Sequence, residues 1–206
     1  LEMVKQLLEA RCSNIFAACR DPDGPNSEVN VADPCIIKES AKKVGSLLGK
    51  NGLNLLVNNA ADMQNTFNTN VIGPLFVIRY LPYLRIAAKA KGRPGMSCDK
   101  AAVINISTDS ASMSIMPVMK EPFPLFPYSI SKSGLNMLTK YTTRDLKADE
   151  ILCISIHPGW VRTDMGGDEA PIDARESVEG MLCVIGSLTE KQNCAFLDYT
   201  GETMPW

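Results

Sequence analysis

Ala101-Ala-Val-Ile-Asn-Ile-Ser-Thr108, with Tyr128-Ser-Ile-Ser-Lys132 after it, decides how this chain is read. Ala101 to Ile106 lacks polar alternation, the character of a strand buried on both faces, as parallel sheets require. It ends in two hydroxyls, Ser107 and Thr108. A helical pattern follows from Tyr128 to Lys147. Working outward, Leu53 to Val57 predicts another buried strand, ending at Asn58-Asn59. Asn14 to Cys19 has strand length and precedes the turn signal Asp21-Pro22-Asp23-Gly24-Pro25; Val29 to Val31 is a further strand candidate. Ile151 to Ile156 and Ala195 to Leu197 complete the set.

Helical patterns alternate with these strands: Leu1 to Glu9, Cys35 to Leu48 behind Asp33-Pro34, Met63 to Lys89 with Gly73-Pro74 inside it, and Ala174 to Leu188. Such alternation predicts one α/β domain over residues 1–206, a doubly wound parallel sheet with helices on both faces. Ligands of such sheets bind beyond the carboxyl ends of the strands. The polar clusters stand there: Cys19-Arg20, Asn58-Asn59, Ser107-Thr108 and His157-Pro158-Gly159.

Composition narrows the function. The chain has 206 residues, 45% hydrophobic, with a formal net charge of -2, and its Lys and Arg are scattered. A nucleic-acid partner is therefore not expected. No run of ~18 apolar residues suggests a membrane span, and no basic-then-apolar leader stands at the N-terminus, so a cytoplasmic location is expected. Seven cysteines without a CxxC pair, beside one histidine, argue for reduced structural thiols and against a zinc site.

Tyr128 and Lys132 carry the chemistry. Four residues of helix turn through about 400°, so the two side chains share one face about 40° apart. An ammonium near a phenol favours the phenolate and is expected to lower the tyrosine pKa. Such a tyrosine can give a proton to a carbonyl oxygen as hydride arrives, or take one in reverse.

The surrounding order of motifs is more specific than this pair. Leu56-Val-Asn58-Asn59-Ala60-Ala61, Asn68-Thr-Asn70-Val-Ile-Gly73-Pro74, the strand ending Ser107-Thr108, the Tyr128–Lys132 helix and His157-Pro158-Gly159-Trp-Val161-Arg-Thr163-Asp-Met165 occur in sequence. Together they resemble the short-chain dehydrogenase/reductase family over essentially the whole chain, most closely its sniffer and C-factor carbonyl reductases. The resemblance implies a Rossmann-type fold and an oxidoreductase reducing an aldehyde, ketone or quinone with NADPH. It makes Tyr128 the general acid/base and Lys132 the residue that tunes it and holds the nicotinamide ribose. It gives Asn70 a water in the proton relay, and Thr108, with Ser107 as the alternative, the substrate carbonyl.

For the cofactor, it places Arg20 at the 2′-phosphate of NADP and Asn58, Asn59, Ala60 and Ala61 beneath the dinucleotide. Pro158-Gly159 would turn sharply so that the backbone approaches the nicotinamide, and Val161 and Thr163 would hold its carboxamide. A homodimer or homotetramer is implied, with Phe67, Phe76, Tyr80 and Tyr141 as contacts. Met113, Ile115, Met116, Met119, Phe123 and Phe126 suggest an apolar pocket wall, and Met165 to Asp173 a lid.

The sequence also departs from the family. The first strand and its glycine-rich phosphate turn are expected to be missing from it, and Leu1 to Val4 resembles the helix after that turn. Little room remains between Cys19 and Val29 for a helical crossover, and between Ala61 and Met63 for the usual active-site segment. These departures favour a second reading, a catalytically inactive Rossmann-fold relative acting as a binding or regulatory protein.

Overall fold

A computed structural model describes residues 2–10, 15, 34–50, 52–58, 66–77, 81–90, 92, 94–115 and 126–206. Its layering follows from the pleat of the strand β2 (Ala102–Ile106), whose successive side chains point to opposite faces. Ala102, Ile104 and Ile106 enter one buried cluster, while Ala101 and Val103 enter another. β3 (Leu152–His157) divides likewise, with Leu152, Ile154 and Ile156 on the first face and Cys153 on the second. With β1 (Leu55–Asn58) and β4 (Phe196–Asp198) they form a parallel sheet in the order β1-β2-β3-β4.

Each face has its helices. The helix α6 (Ala174–Ser187) covers the first with Val178, Met181, Val184 and Ile185. Against the same cluster α1 (Glu2–Glu9) sets Met3, and Gln6 Nε2 donates to the Arg175 carbonyl, tying α1 to α6. The second face takes Leu84, Ala87 and Ala88 of α4 (Leu81–Ala90) and Leu146 of α5 (Phe126–Leu146). Burying each branched side chain stabilises the fold by about 1.5–3 kcal/mol relative to exposure. The α/β architecture with helices on both faces is the one the sequence predicts. The helix α2 (Pro34–Leu48) also agrees with it. The proposed strands Asn14–Cys19 and Val29–Val31, and both short junctions, lie outside the described residues.

The single helix expected from Met63 to Lys89 is not formed as one. A π-helical turn spans Asn68–Ile72, a short α3 spans Gly73–Val77, and α4 begins at Leu81. Pro74 has no N–H to give the Asn70 carbonyl, and the Gly73 N–H reaches back five residues to the Asn68 carbonyl. The wider turn holds Asn70 fully buried. Among the described residues no single helix is long and apolar enough to cross a membrane.

In α5 the usual amphipathic pattern is inverted. Its buried side is Ser131, Lys132, Leu135, Asn136, Thr139, Thr142, Thr143 and Leu146, mostly polar. Its outward side exposes Phe126, Ile130, Met137 and Tyr141. Proline at the second position suits the start of a helix, where the missing N–H has no partner to lose.

Candidate active site

Helix α5 brings its two key side chains to the carboxyl end of the sheet. Lys132 is 2% exposed. Its Nζ donates to the Ile106 carbonyl at 2.8 Å and lies 5.8 Å from the centre of the Tyr128 ring. The pair therefore shares one helical face, as the spacing predicts. Burial in this apolar setting lowers the lysine pKa from 10.5 to about 8.

The tyrosine behaves differently from the sequence expectation. Its pKa is raised, first by burial and then by the negative charge of Asp109. The expected lowering fails because the ammonium is engaged by a main-chain carbonyl while a carboxylate faces the phenol.

Of the two hydroxyls at the end of β2, Ser107 is turned inward. Its Oγ donates to Asn136 Oδ1 at 2.7 Å, fully buried between sheet and helix. Thr108 follows at the mouth, and its Oγ1 donates to Asp109 Oδ1 at 3.0 Å. Asn70 Nδ2 donates to Ser131 Oγ at 2.9 Å, and Ser131 in turn donates to the Tyr128 carbonyl at 2.7 Å. That chain ties the π-helical turn to the first turn of α5. Asn70 Oδ1 is buried with no partner among the described residues.

The remaining sequence candidates line the rim. Asn58 Nδ2 donates to Asn105 Oδ1 at 2.7 Å, linking β1 to β2 beneath the mouth. Pro158 gives its carbonyl to Ser177 Oγ at 2.6 Å, and Gly159 takes φ +82°. That backbone is strained for any residue with a Cβ. Val161 bridges to Ile172, and the Arg162 Nη1 donates to the carbonyls of Ala170 and Pro171. Thr163 is exposed, and its Oγ1 accepts from the Gly166 N–H. The segment proposed as a lid is thus pinned to the strand-end turn at both ends. Arg20, Asn59, Ala60 and Ala61 lie outside the described residues, as do Tyr80 and the pocket-wall residues Met116, Met119 and Phe123.

Sequence reasoning gave Ser131 and Asp109 no place in the site, and His157 no role beyond its cluster at the strand end. His157 Nε2 lies 3.7 Å from Asp109 Oδ2, and its buried Nδ1 has no partner among the described residues. Burial lowers the imidazole pKa, against the opposing pull of Asp109 and Asp198. A hydroxyl and an acid on consecutive residues after a strand, Thr108-Asp109, was the available signal.

This arrangement has counterparts. The profile of the short chain dehydrogenase family matches residues 25–171. The chain belongs to this family. A relative described as C-signal, from Myxococcus xanthus, is 35% identical over 147 residues, covering 71% of this chain and 80% of its own. The crystal structure of NADPH-bound carbonyl reductase from chicken fatty liver superposes with a TM-score of 0.89 at 36% identity, covering 100% of this chain and 93% of that one. The carbonyl reductase Sniffer of D. melanogaster gives a TM-score of 0.82 at 32% identity, over 100% and 84%. Family membership makes the chain an oxidoreductase-type fold of the sniffer and carbonyl reductase kind, the resemblance read from its motifs.

Proposed function

We propose that this chain is an NADPH-dependent carbonyl reductase, one domain in which Tyr128 protonates the oxygen of an aldehyde, ketone or quinone as it becomes an alcohol. The observation that carries the proposal is Lys132, a buried ammonium beside the Tyr128 ring with one acceptor, the Ile106 carbonyl, among the described residues. An ammonium has three donors. Burying two of them without partners is costly, and the hydroxyls of a nicotinamide ribose would satisfy them. The residues present therefore fit the cofactor. The NADP-bound state of carbonyl reductase neighbours supports the same choice.

NADPH, when bound, supplies hydride to the carbonyl carbon. The protein's part is the proton. Tyr128 transfers its phenolic proton to the carbonyl oxygen, and Lys132 stabilises the phenolate left behind until solvent restores the proton. Asn70, whose buried Oδ1 has no partner among the described residues, would fix a water on that return path. Thr108 borders the reacting carbonyl, while Ser107 supports the site from within through Asn136. Arg20 would meet the 2′-phosphate, Asn58 to Ala61 would underlie the dinucleotide, and the backbone at Pro158-Gly159 with Val161 and Thr163 would flank the nicotinamide.

A homodimer or homotetramer would pair through the outward face of α5. Phe126, Ile130, Met137 and Tyr141 recur at helical spacing, and Phe67, from the turn before Asn68, lies beside Gly134. Phe67 and Tyr141 are each about half exposed, whereas Phe76 is partly buried. A cytoplasmic setting is in keeping with the unbridged thiols of Cys98, Cys153, Cys183 and Cys194.

A panel of carbonyl compounds assayed with NADPH, beside Tyr128→Phe, tests the reading. Turnover in the native chain should fall by about 10²–10⁴-fold in the variant. Tight NADPH binding without turnover of any carbonyl would overturn it in favour of a non-catalytic binding protein.

A further inference from the structure

We propose that Asp109 selects the substrate, favouring carbonyl compounds that carry a hydrogen-bond donor or a positive charge near the reacting group and rejecting carboxylates. The inference rests on the reductase reading and specifies the substrate class for the same site.

The geometry begins at Thr108. Its hydroxyl has one proton, and that proton is given to Asp109 Oδ1. The same hydroxyl lies 3.3 Å from Ser110 Oγ, so Thr108 sits in a polar cluster centred on Asp109. Asp109 stands at the head of the 3₁₀ turn Asp109–Ala111 directly after the strand end. The Ser110 N–H also donates to its Oδ1, at 2.7 Å. Among the described residues its Oδ2 has only the 3.7 Å approach of His157, and the side chain is 36% exposed. One carboxylate oxygen is therefore open toward the mouth, close enough to Tyr128 for its charge to be felt there.

Among the described residues, no ion pair joins that carboxylate to a lysine or arginine. From α5, the Lys132 ammonium is buried and turned to the Ile106 carbonyl. From β3, His157 is held toward its neutral form by burial. From β4, Asp198 adds a second carboxylate near His157. Among the described residues, Asp109 and Asp198 put two carboxylates on the strand-end side of the proton donor. A hydroxyl or ammonium beside the carbonyl complements them, whereas a carboxylate is repelled.

The test uses the full chain with NADPH and three ring-substituted benzaldehydes, bearing dimethylaminomethyl, hydroxymethyl or carboxymethyl groups. Asp109→Asn keeps the acceptor for the Ser110 N–H and removes the charge. In the native chain kcat/KM for the cationic aldehyde should exceed that for the anionic one by about tenfold, as expected for one partly screened charge within several ångströms. The variant should bring the two within about twofold. An unchanged ratio overturns the proposal while leaving the reductase reading intact. Turnover of no aldehyde would instead sink that reading.

A second measurement then decides the inference without catalysis. The chain has one histidine, so the His157 Cε1–H signal is unique in the NMR spectrum. Benzyldimethylamine should shift it in the cofactor-free protein, phenylacetate should not, and Asp109→Asn should abolish the difference. Equal responses to both compounds in the native chain overturn the proposal.

Discussion

Replacing Lys132 by methionine should stabilise the protein while removing its activity. Lys132 is 2% exposed, so little solvent screening relieves its charge. A fall in pKa from 10.5 to about 8 means that folding with a charged lysine costs about 3 kcal/mol. Methionine fills similar volume, and losing the bond to the Ile106 carbonyl returns about 1 kcal/mol. The net gain is about 2 kcal/mol at pH 7, or roughly 4–8 °C in Tm for a chain of this size. The gain has a pH signature. Below about pH 8 the lysine is charged in both folded and unfolded chains, so the native protein carries the whole cost. Between about pH 8 and 10.5 only the unfolded chain keeps the proton, and the native protein regains stability as pH rises. Urea unfolding of native and Lys132→Met chains at pH 7, 9 and 10.3 should therefore show a difference that shrinks toward zero. A variant less stable at pH 7, or a gap independent of pH, would refute the claim that desolvation dominates this lysine.

Other outcomes follow from the same coordinates. Asn70→Leu should lower turnover at least about tenfold yet change urea stability by no more than about 1 kcal/mol, since it removes both a buried hydrogen bond and an orphaned oxygen. Gly159→Ala should lower Tm, measured by circular dichroism. It forces φ +82° on a residue with a Cβ that would sit 2.6 Å from Ile172 Cδ1, and the backbone term alone is about 1–2 kcal/mol. The thiol of Cys153, whose pKa burial pushes up to about 12, should resist alkylation at pH 8 in the folded chain and react fully in urea, as read by peptide mass mapping.

The fold was legible where one physical rule governed a segment. β2 and β3 are apolar on both faces because helices cover both, and that shows as an absence of alternation. Gly73-Pro74 was visible inside the expected helix, but its effect was not. Whether a proline kinks, ends or widens a helix depends on which neighbouring carbonyls find other donors, a tertiary matter. Similarly, the direction each hydroxyl takes at a strand end cannot be read from Ser107-Thr108. Asn136, distant in sequence, claims the first, and the carboxylate of the next residue claims the second.

The largest divergence from the sequence expectation is at Tyr128. Spacing alone put an ammonium beside a phenol, and proximity of opposite charges would favour phenolate. The structure changes the sign because burial disfavours the phenolate and, second to it, the charge of Asp109 acts in the same direction, while Lys132 Nζ is turned to the Ile106 carbonyl. A raised pKa keeps the phenol protonated through the neutral range. Reduction needs that protonated form at the start of a turnover, whereas alcohol oxidation needs the phenolate. The raised pKa of Tyr128 therefore suits the proton-donating role proposed for it. Asp109→Asn, by lowering the Tyr128 pKa, should shift the pH profile of any alcohol oxidation toward lower pH.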